Sequence, residues 1–364
     1  MHMRESLSRL FPPPRFILLD AVGVDVSDTS LKYVQFMRVN GELKLKRWGD
    51  IAMPDGAIVQ GVVHDSTALG KALMEVRRIC GTPCMRLSLP EEHAYLFETK
   101  VKASLSEHEV IDAIGFRLEE NVPLAPRDAE FDYTPTNAPI VANEQKIIVT
   151  VYAKEIIRPY HEACEKAEVL PLSFEVEAQA LARSVVKRGD KGVYLMVDFG
   201  KSRTGVGIVA DELLELTSTV DIGGKDLDEG LALAYPKATA DELITLKNQN
   251  GVLVLAEEKA VREALLPPVT NLKNEVAARM AYWNTRAGNE ERQIKNVILC
   301  GGIANLAGLP AHLSETLGVT VSQADVWQNA FSIEKTIPPI TRRYSYGYAT
   351  AVGLSLGSFS GKEI

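Results

Sequence analysis

The chain has 364 residues but only four cysteines, Cys80, Cys84, Cys164 and Cys300. Cys80 and Cys84 lack a second close pair to complete a zinc site, and the six histidines show no ligand spacing. Reduced, mostly buried thiols in a cytoplasmic protein is the reading that follows. No apolar run approaches the roughly 20 residues needed to span a bilayer. The segment Met1 to Arg15 is polar and ends in Pro12-Pro13-Pro14, which reads as a frayed tail and not as a signal peptide. There is no basic stripe, and the formal net charge of −8 argues against nucleic acid as a main partner. Catalytic serine, cysteine or histidine arrangements are missing. So are a Gly-Lys-Ser/Thr after a glycine-rich loop and a GxGxxG fingerprint, which sets aside P-loop and dinucleotide-binding readings.

What is present is ordinary in bulk and unusual in pattern. Hydrophobic residues make up 46% and charged residues 24%, as in a globular protein, and the length predicts two lobes or more. One pattern occurs twice. Val22-Gly23-Val24-Asp25-Val26-Ser27-Asp28-Thr29-Ser30-Leu31-Lys32 and Leu195-Met196-Val197-Asp198-Phe199-Gly200-Lys201-Ser202-Arg203-Thr204-Gly205 are each an apolar strand ending in aspartate, a small polar turn and a returning strand. A tight turn leaves backbone N–H groups free to bind an anion. An aspartate at a strand end is a hard oxygen ligand suited to Mg²⁺, directly or through water. Asp25 and Asp198 are therefore the candidate metal ligands, with Lys32 placed to reach a phosphate. A third signal is Val297-Ile298-Leu299-Cys300-Gly301-Gly302, a strand whose glycines allow a backbone to approach a ligand closely.

Along the chain, residues 16 to 49 alternate apolar and polar over three runs, with the hairpin signal Asn40-Gly41 between the second and third. A helix is predicted from Ser66, its cap, to Ile79. Next comes a β-α-β-β-α unit: a strand at Tyr95 to Val101, a helix from Ser104 stopping before Pro123, strands at 127 to 135 and 146 to 153, and a helix at Lys154 to Lys166. Phe174 to Lys187 is read as a helix leading into the second aspartate strand. Further helices are predicted at Ala238 to Leu246, Thr270 to Thr285, Gly308 to Leu317 and Arg343 to Leu356.

These features together resemble the actin-like ATPase superfamily and, within it, the PilM family of type IV pilus assembly proteins, which is similar to the division protein FtsA. The resemblance is carried by Glu109 through Leu124, by Phe174-Glu175-Val176-Glu177-Ala178-Gln179-Ala180-Leu181, by Ile222-Gly223-Gly224-Lys225-Asp226-Leu227 and by Tyr348-Ala349-Thr350-Ala351-Val352-Gly353-Leu354. It implies a two-lobed α/β fold, a duplicated RNase H-like unit. The first lobe would comprise residues 15–90, 166–192 and 338–364. An FtsA-like (SHS2-type) subdomain would be inserted at 91–165, and the second lobe would span 193–337.

For the site, the resemblance implies bound ATP and Mg²⁺. The first phosphate loop would be Asp25, Ser27, Asp28, Thr29, Ser30 and Lys32, and the second Asp198, Gly200, Lys201, Ser202 and Thr204. Gly301, Gly302 and Ala304 would back the adenosine, with Gly224, Lys225 and Lys247 as further nucleotide contacts. Glu177, or alternatively Glu175, would orient the attacking water. The partner implied is the short N-terminal cytoplasmic peptide of a PilN-like membrane protein, received in a groove between the insert and the first lobe. The chain would then lie at the inner face of the membrane through that partner, and could form homo-oligomers.

One departure stands out. The family usually has Asp-Ile-Gly-Ser in the first loop, and this chain has Asp25-Val26-Ser27-Asp28. A serine where the turn wants positive φ would be strained, and Asp28 would set a negative charge beside the phosphates. A slow ATPase or a protein that only binds nucleotide are both compatible with this loop. Two other functions of the superfold remain open, a polymerising cytoskeletal ATPase and a small-molecule kinase.

Overall fold

In the computed structural model, residues 21–253, 259–286 and 288–359 are described. The N-terminal tail and the start of the first alternating run lie outside them. Strands β1 (Val22–Val26), β2 (Ser30–Val39) and β3 (Glu42–Ala52) form an antiparallel meander. Asn40 and Gly41 both take positive φ at the second turn, 53° and 86°, as a two-residue hairpin of opposite-handed twist requires. A short hairpin, β4 (Ile58–Val59) and β5 (Val62–Val63), leads to helix α1 (Ser66–Cys80). The cap of α1 is Asp65 and not Ser66: the Asp65 carboxylate accepts the Thr67 and Ala68 N–H groups at 2.9 and 3.0 Å. Strand β6 (Cys84–Leu89) follows and pairs in parallel with β1.

A single 3₁₀ turn at Glu91–His93 opens the inserted unit. It contains β7 (Tyr95–Lys102), α2 (Glu107–Gly115), α3 (Leu118–Asn121), β8 (Ala129–Pro135), β9 (Glu144–Ala153) and α4 (Lys154–Lys166). The three strands pair in the order β7-β9-β8. A small core of its own gathers Val101, Val110, Ile114, Leu118, Ile147 and Val149. By contrast α4 turns Tyr160, Ala163 and Cys164 into the large core, against the first sheet and α1.

The chain then returns as β10 (Leu170–Val176) and α5 (Glu177–Val185). The sequence reading had a helix from Phe174. Instead Phe174, Glu175 and Val176 pair in parallel with Leu87, Ser88 and Leu89 of β6. The half-buried Glu175 carboxylate meets Arg86 at 3.4 Å and Arg183 at 2.6 Å, so it belongs to an ion-pair network.

The second half repeats the first. Strands β11 (Val193–Phe199), β12 (Thr204–Ala210) and β13 (Leu213–Val220) form a meander, followed by α6 (Gly224–Ala234), α7 (Ala240–Asn250) and α8 (Lys259–Thr285). Helix α8 begins well before Thr270 and runs through Pro267 and Pro268. It does so because Val261, Leu265, Val269, Leu272, Val276, Met280 and Trp283 continue one buried stripe at three- and four-residue steps. Strand β14 (Asn296–Cys300), a 3₁₀ turn at Gly302–Asn305, α9 (Leu309–Leu317) and β15 (Thr320–Gln323) complete it. The two five-stranded sheets have matching orders, β10-β6-β1-β2-β3 and β13-β12-β11-β14-β15. Each places its aspartate strand in the middle.

The end of the chain crosses back. The single helix read from Arg343 to Leu356 is broken into α10 (Arg342–Ser345), a 3₁₀ turn at Tyr346–Tyr348, and α11 (Ala349–Gly357). The break sends the Tyr346 carbonyl to the Gly301 N–H at 3.4 Å and the Cys300 thiol at 3.3 Å. All nine residues of α11 are buried between β1 and α5. A Cβ on Gly23 would lie 2.1 Å from the Ala351 carbonyl, and one on Gly353 would lie 1.7 Å from that of Ala180. Small residues are what let this helix sit against both elements.

Candidate functional site

Strand β1 delivers Asp25 directly opposite Lys32 of β2. Ser88, at the end of β6, accepts the Val26 N–H at 2.9 Å and donates to Asp25 Oδ1 at 3.2 Å, which fixes that carboxylate. The turn between the strands closes on itself: the Ser27 hydroxyl and N–H both donate to the Ser30 carbonyl, at 2.8 and 3.0 Å. Ser27 is not among the residues of positive φ. Serine is therefore accommodated without left-handed backbone, and the strain expected from its Cβ does not arise. Asp28 points across the loop. Its carboxylate accepts the Gln60 and Gly61 N–H groups at 3.1 and 2.9 Å and pairs with Arg203 at 3.2 Å. The charge expected to burden the phosphate loop is thus already bound.

In the second half Asp198 stands opposite Gly205 and beside Cys300 of β14. Its turn closes through the Gly200 N–H on the Arg203 carbonyl at 3.1 Å. The start of α6 docks on this turn, with the Gly224 and Lys225 N–H groups donating to the Gly200 and Lys201 carbonyls at 3.0 and 2.9 Å. Gly301 takes φ +82°, and a Cβ there would lie 2.4 Å from Asp198 Oδ1. The backbone needs glycine, and the carboxylate needs the space. Nothing lies within 4 Å of a Cβ on Gly302, which faces open volume.

The two loops meet at one cleft of about 330 Å³. Asp25, Ser27, Asp28, Thr29 and Lys32 line it from one side, Asp198, Gly200, Lys201 and Ser202 from the other, and Gly301, Gly302 and Glu177 close it. Burial raises the Asp25 carboxyl above its usual range against the pull of Lys32. Asp198 is pushed up to about 6 by burial and by the charge of Asp25. Glu177, at the start of α5, is held well above the carboxylate range by burial and then by Asp25, Glu91 and Glu92. Such a field is short of positive charge, and a cation between Asp25 and Asp198 would relieve it. Among the described residues no group of three or more His, Cys, Asp or Glu could hold a metal ion. Two carboxylates suit Mg²⁺, which keeps waters and phosphate oxygens in its other positions.

Other residues named from the sequence lie off the cleft wall. The Ser30 hydroxyl accepts Lys32 Nζ at 3.2 Å. Thr204 is fully buried and donates to the Ile222 carbonyl at 2.6 Å. Ala304 is buried within the 3₁₀ turn, and its carbonyl accepts from Gln323 at 2.7 Å. Lys225 pairs with Asp221 at 3.6 Å, and Lys247 pairs with Asp228. Sequence reasoning missed Glu91, Arg203, Gly205, Tyr346, Gly347 and Thr350, which also line the cleft. Arg203 lay inside a loop already singled out and its charge was a legible signal. Glu91 came from a distant turn and had none.

A second concavity of about 580 Å³ lies between β8, β9, α4 and β10. Phe131, Tyr152, Ile157 and Phe174 supply apolar walls, and Lys154, Arg158 and His161 of α4 and Glu130 and Asp132 of β8 supply polar ones. All four cysteines are buried and free. Among the described residues no helix is long and apolar enough to cross a membrane.

Comparison with known proteins comes from two directions. A sequence model of the family described as type IV pilus assembly protein PilM matches residues 23–359. Among solved structures, a PilM-PilN type IV pilus biogenesis complex is similar with a TM-score of 0.76 and 20% identity, over 94% of this chain and 99% of that one. The ethanolamine utilization protein EutJ from Carboxydothermus hydrogenoformans is similar with a TM-score of 0.54 and 15% identity, over 95% of this chain and 90% of that one. MreB5 of Spiroplasma citri, bound to ADP, is similar with a TM-score of 0.53 and 11% identity, over 93% and 98%. The fold is the two-lobed actin-like fold with an α+β insert in the first lobe.

Proposed function

Because the chain belongs to the PilM family of type IV pilus assembly proteins, we propose that it is a nucleotide-binding adaptor of the pilus assembly platform. In this reading Mg-ATP is held in the cleft between the two hairpin loops, and the N-terminal cytoplasmic peptide of a PilN-like membrane protein lies in the groove beside the insert. The observation that carries the reading is the convergence of Asp25 and Asp198, far apart in sequence, on one cleft lined by turn residues and glycines. The solved PilM-PilN complex supports a partner of the PilN kind.

Within the cleft, Asp25 and Asp198 would hold Mg²⁺ through water, and Lys32 and the loop N–H groups would bind phosphate. When bound, Mg²⁺ would supply a divalent charge at the carboxylates, and the nucleotide a ligand that both loops could grip. Glu177 would orient the attacking water through a hydrogen bond, and any hydrolysis would be slow and serve switching. Closure of the lobes would bias the groove by the difference in affinity between open and closed states and by no more. We keep residues 91–165 as the inserted unit and 193–337 as the second lobe in this scheme. Through its partner the protein would lie at the inner face of the membrane.

The groove would receive an extended peptide, its aromatic walls contacting side chains and its acidic and basic residues pairing with the peptide's charges. The test is calorimetry with Mg-ATP and with a synthetic N-terminal peptide of the partner. Asp198→Ala is expected to abolish nucleotide binding with the fold intact, and Arg158→Glu, in the groove, to weaken peptide binding alone. Unchanged nucleotide affinity in the first variant would refute the cleft assignment.

A further inference from the structure

Arg203 is the one residue of the second loop that reaches a carboxylate of the first. Its guanidinium lies 3.2 Å from Asp28 Oδ2 and 2.9 Å from Glu92 Oε1, and its side chain is only 19% exposed. Asp28 sits on the β1–β2 turn and Arg203 on the β11–β12 turn, so this contact spans the cleft. Glu92 sits on the 3₁₀ turn that opens the inserted unit. One cation is therefore shared between three segments, at the rim of a cleft that also holds Asp25, Asp198, Glu91 and Glu177.

The surroundings of the two carboxylates show what the sharing does. Asp28 has two backbone donors, Gln60 and Gly61, and would stay satisfied without Arg203. Beyond its own backbone N–H the Glu92 carboxylate has no hydrogen-bond donor, and Arg203 is its ion-pair partner. Burial raises the Glu92 carboxyl and the charge of Arg203 lowers it. If the guanidinium turned into the cleft, Glu92 would be left as a largely enclosed acid without its ion-pair partner, at a cost that a stronger anion would offset. A terminal phosphate is such an anion, since it carries more charge than a carboxylate and accepts the guanidinium fork in the same bidentate manner. Glu92 in turn lies next to a point where the groove is attached. The hydroxyl of Tyr152, a groove residue, donates to the Pro90 carbonyl at 3.2 Å.

Resting on the nucleotide reading above, we propose that Arg203 is a masked phosphate ligand. It is held by Asp28 and Glu92 in the ligand-free protein and given up to the terminal phosphate of a nucleoside triphosphate, and its departure loosens the 3₁₀ turn at Glu91–His93 beside the groove. The residue at position 28 then sets the affinity for nucleotide, by competing for Arg203. Discrimination between triphosphate and diphosphate follows, because the group that must outcompete the two carboxylates is the terminal one.

The experiment uses the full chain and two readouts. Calorimetry with Mg-ATP and Mg-ADP is run on wild type, Asp28→Ser, Glu92→Gln and Arg203→Gln, each first checked by circular dichroism. Asp28→Ser and Glu92→Gln are expected to bind Mg-ATP at least fivefold tighter with a smaller change for Mg-ADP, and Arg203→Gln to bind both about equally. Amide hydrogen exchange of wild type on addition of Mg-ATP is expected to rise at residues 91–93. Weaker or unchanged Mg-ATP binding in both carboxylate variants overturns the proposal while the cleft assignment stands. Absence of nucleotide binding in every form, wild type included, removes the cleft assignment and the proposal with it.

Discussion

Glu91 Oε1 stands 1.8 Å from the point where a Cβ on Gly205 would be. Glu91 belongs to the turn that opens the insert, and Gly205 to the strand that returns from the second aspartate. The carboxylate of one element thus occupies the side-chain volume that the other leaves empty. It is held there by the Thr217 hydroxyl at 3.2 Å and is only 7% exposed.

Gly205→Ala is expected to drive Glu91 out of this seat and break its bond to Thr217. A loss of about 1–2 kcal/mol in chemical unfolding follows from one buried polar contact. Because Glu91 also lines the cleft, its displacement should lower affinity for Mg-ATP as well. Unaltered stability together with unaltered affinity would show that the contact does no work.

Asp198 offers a test by pH. Its folded-state value of about 6 lies above the ordinary 3.8, so the folded form binds the proton more tightly than the unfolded chain. In metal-free protein, the contribution of Asp198 to stability should therefore fall as pH rises from 4 to 6, and the raised Glu91 and Glu177 should continue the fall above that. Asp198→Asn should flatten the fall between pH 4 and 6 and stabilise the protein at pH 7 by about 3 kcal/mol. The same variant should no longer bind Mg-ATP. Urea titrations across that range measure the first effect, and calorimetry the second.

Gly353→Ala places a Cβ 1.7 Å from the Ala180 carbonyl, and neither backbone can withdraw without moving α11 or α5. A loss of about 3 kcal/mol is expected from overpacking of this kind. A protein that keeps its unfolding midpoint would contradict the packing of α11 described above.

The groove can be separated from the cleft by charge. Arg158 lies on α4 and lines the groove. Arg158→Glu is expected to weaken the partner peptide about tenfold or more while Mg-ATP binding stays as in wild type. Equal loss at both sites would mean that the substitution disturbs the fold. No change in peptide affinity would place the peptide elsewhere.

Much of the architecture was legible because it is local. The strand–turn–strand pattern around Asp25 and Asp198, the Asn40-Gly41 hairpin and the buried stripe from Thr270 to Thr285 are written in alternation and three-to-four spacing, which neighbouring residues alone dictate. Errors fell where a partner distant in sequence decided the conformation. Phe174 to Val176 carry helix-compatible residues, and parallel pairing with β6 makes them a strand. The segment after Arg343 has helical spacing, and the docking of Tyr346 on Cys300 and Gly301 breaks it.

The sequence by itself determined that two acidic-tipped hairpins exist and that glycine follows Cys300, since turn chemistry and strand patterning act over a few residues. Only the tertiary structure decided what Ser27 and Asp28 mean. Ser27 closes its own turn, and Asp28 binds Gln60, Gly61 and Arg203, three partners brought to it by other elements. The physical reason is range. Backbone preference is set by adjacent atoms, whereas the energy of a charge is set by whatever the folded chain places within a few ångströms of it.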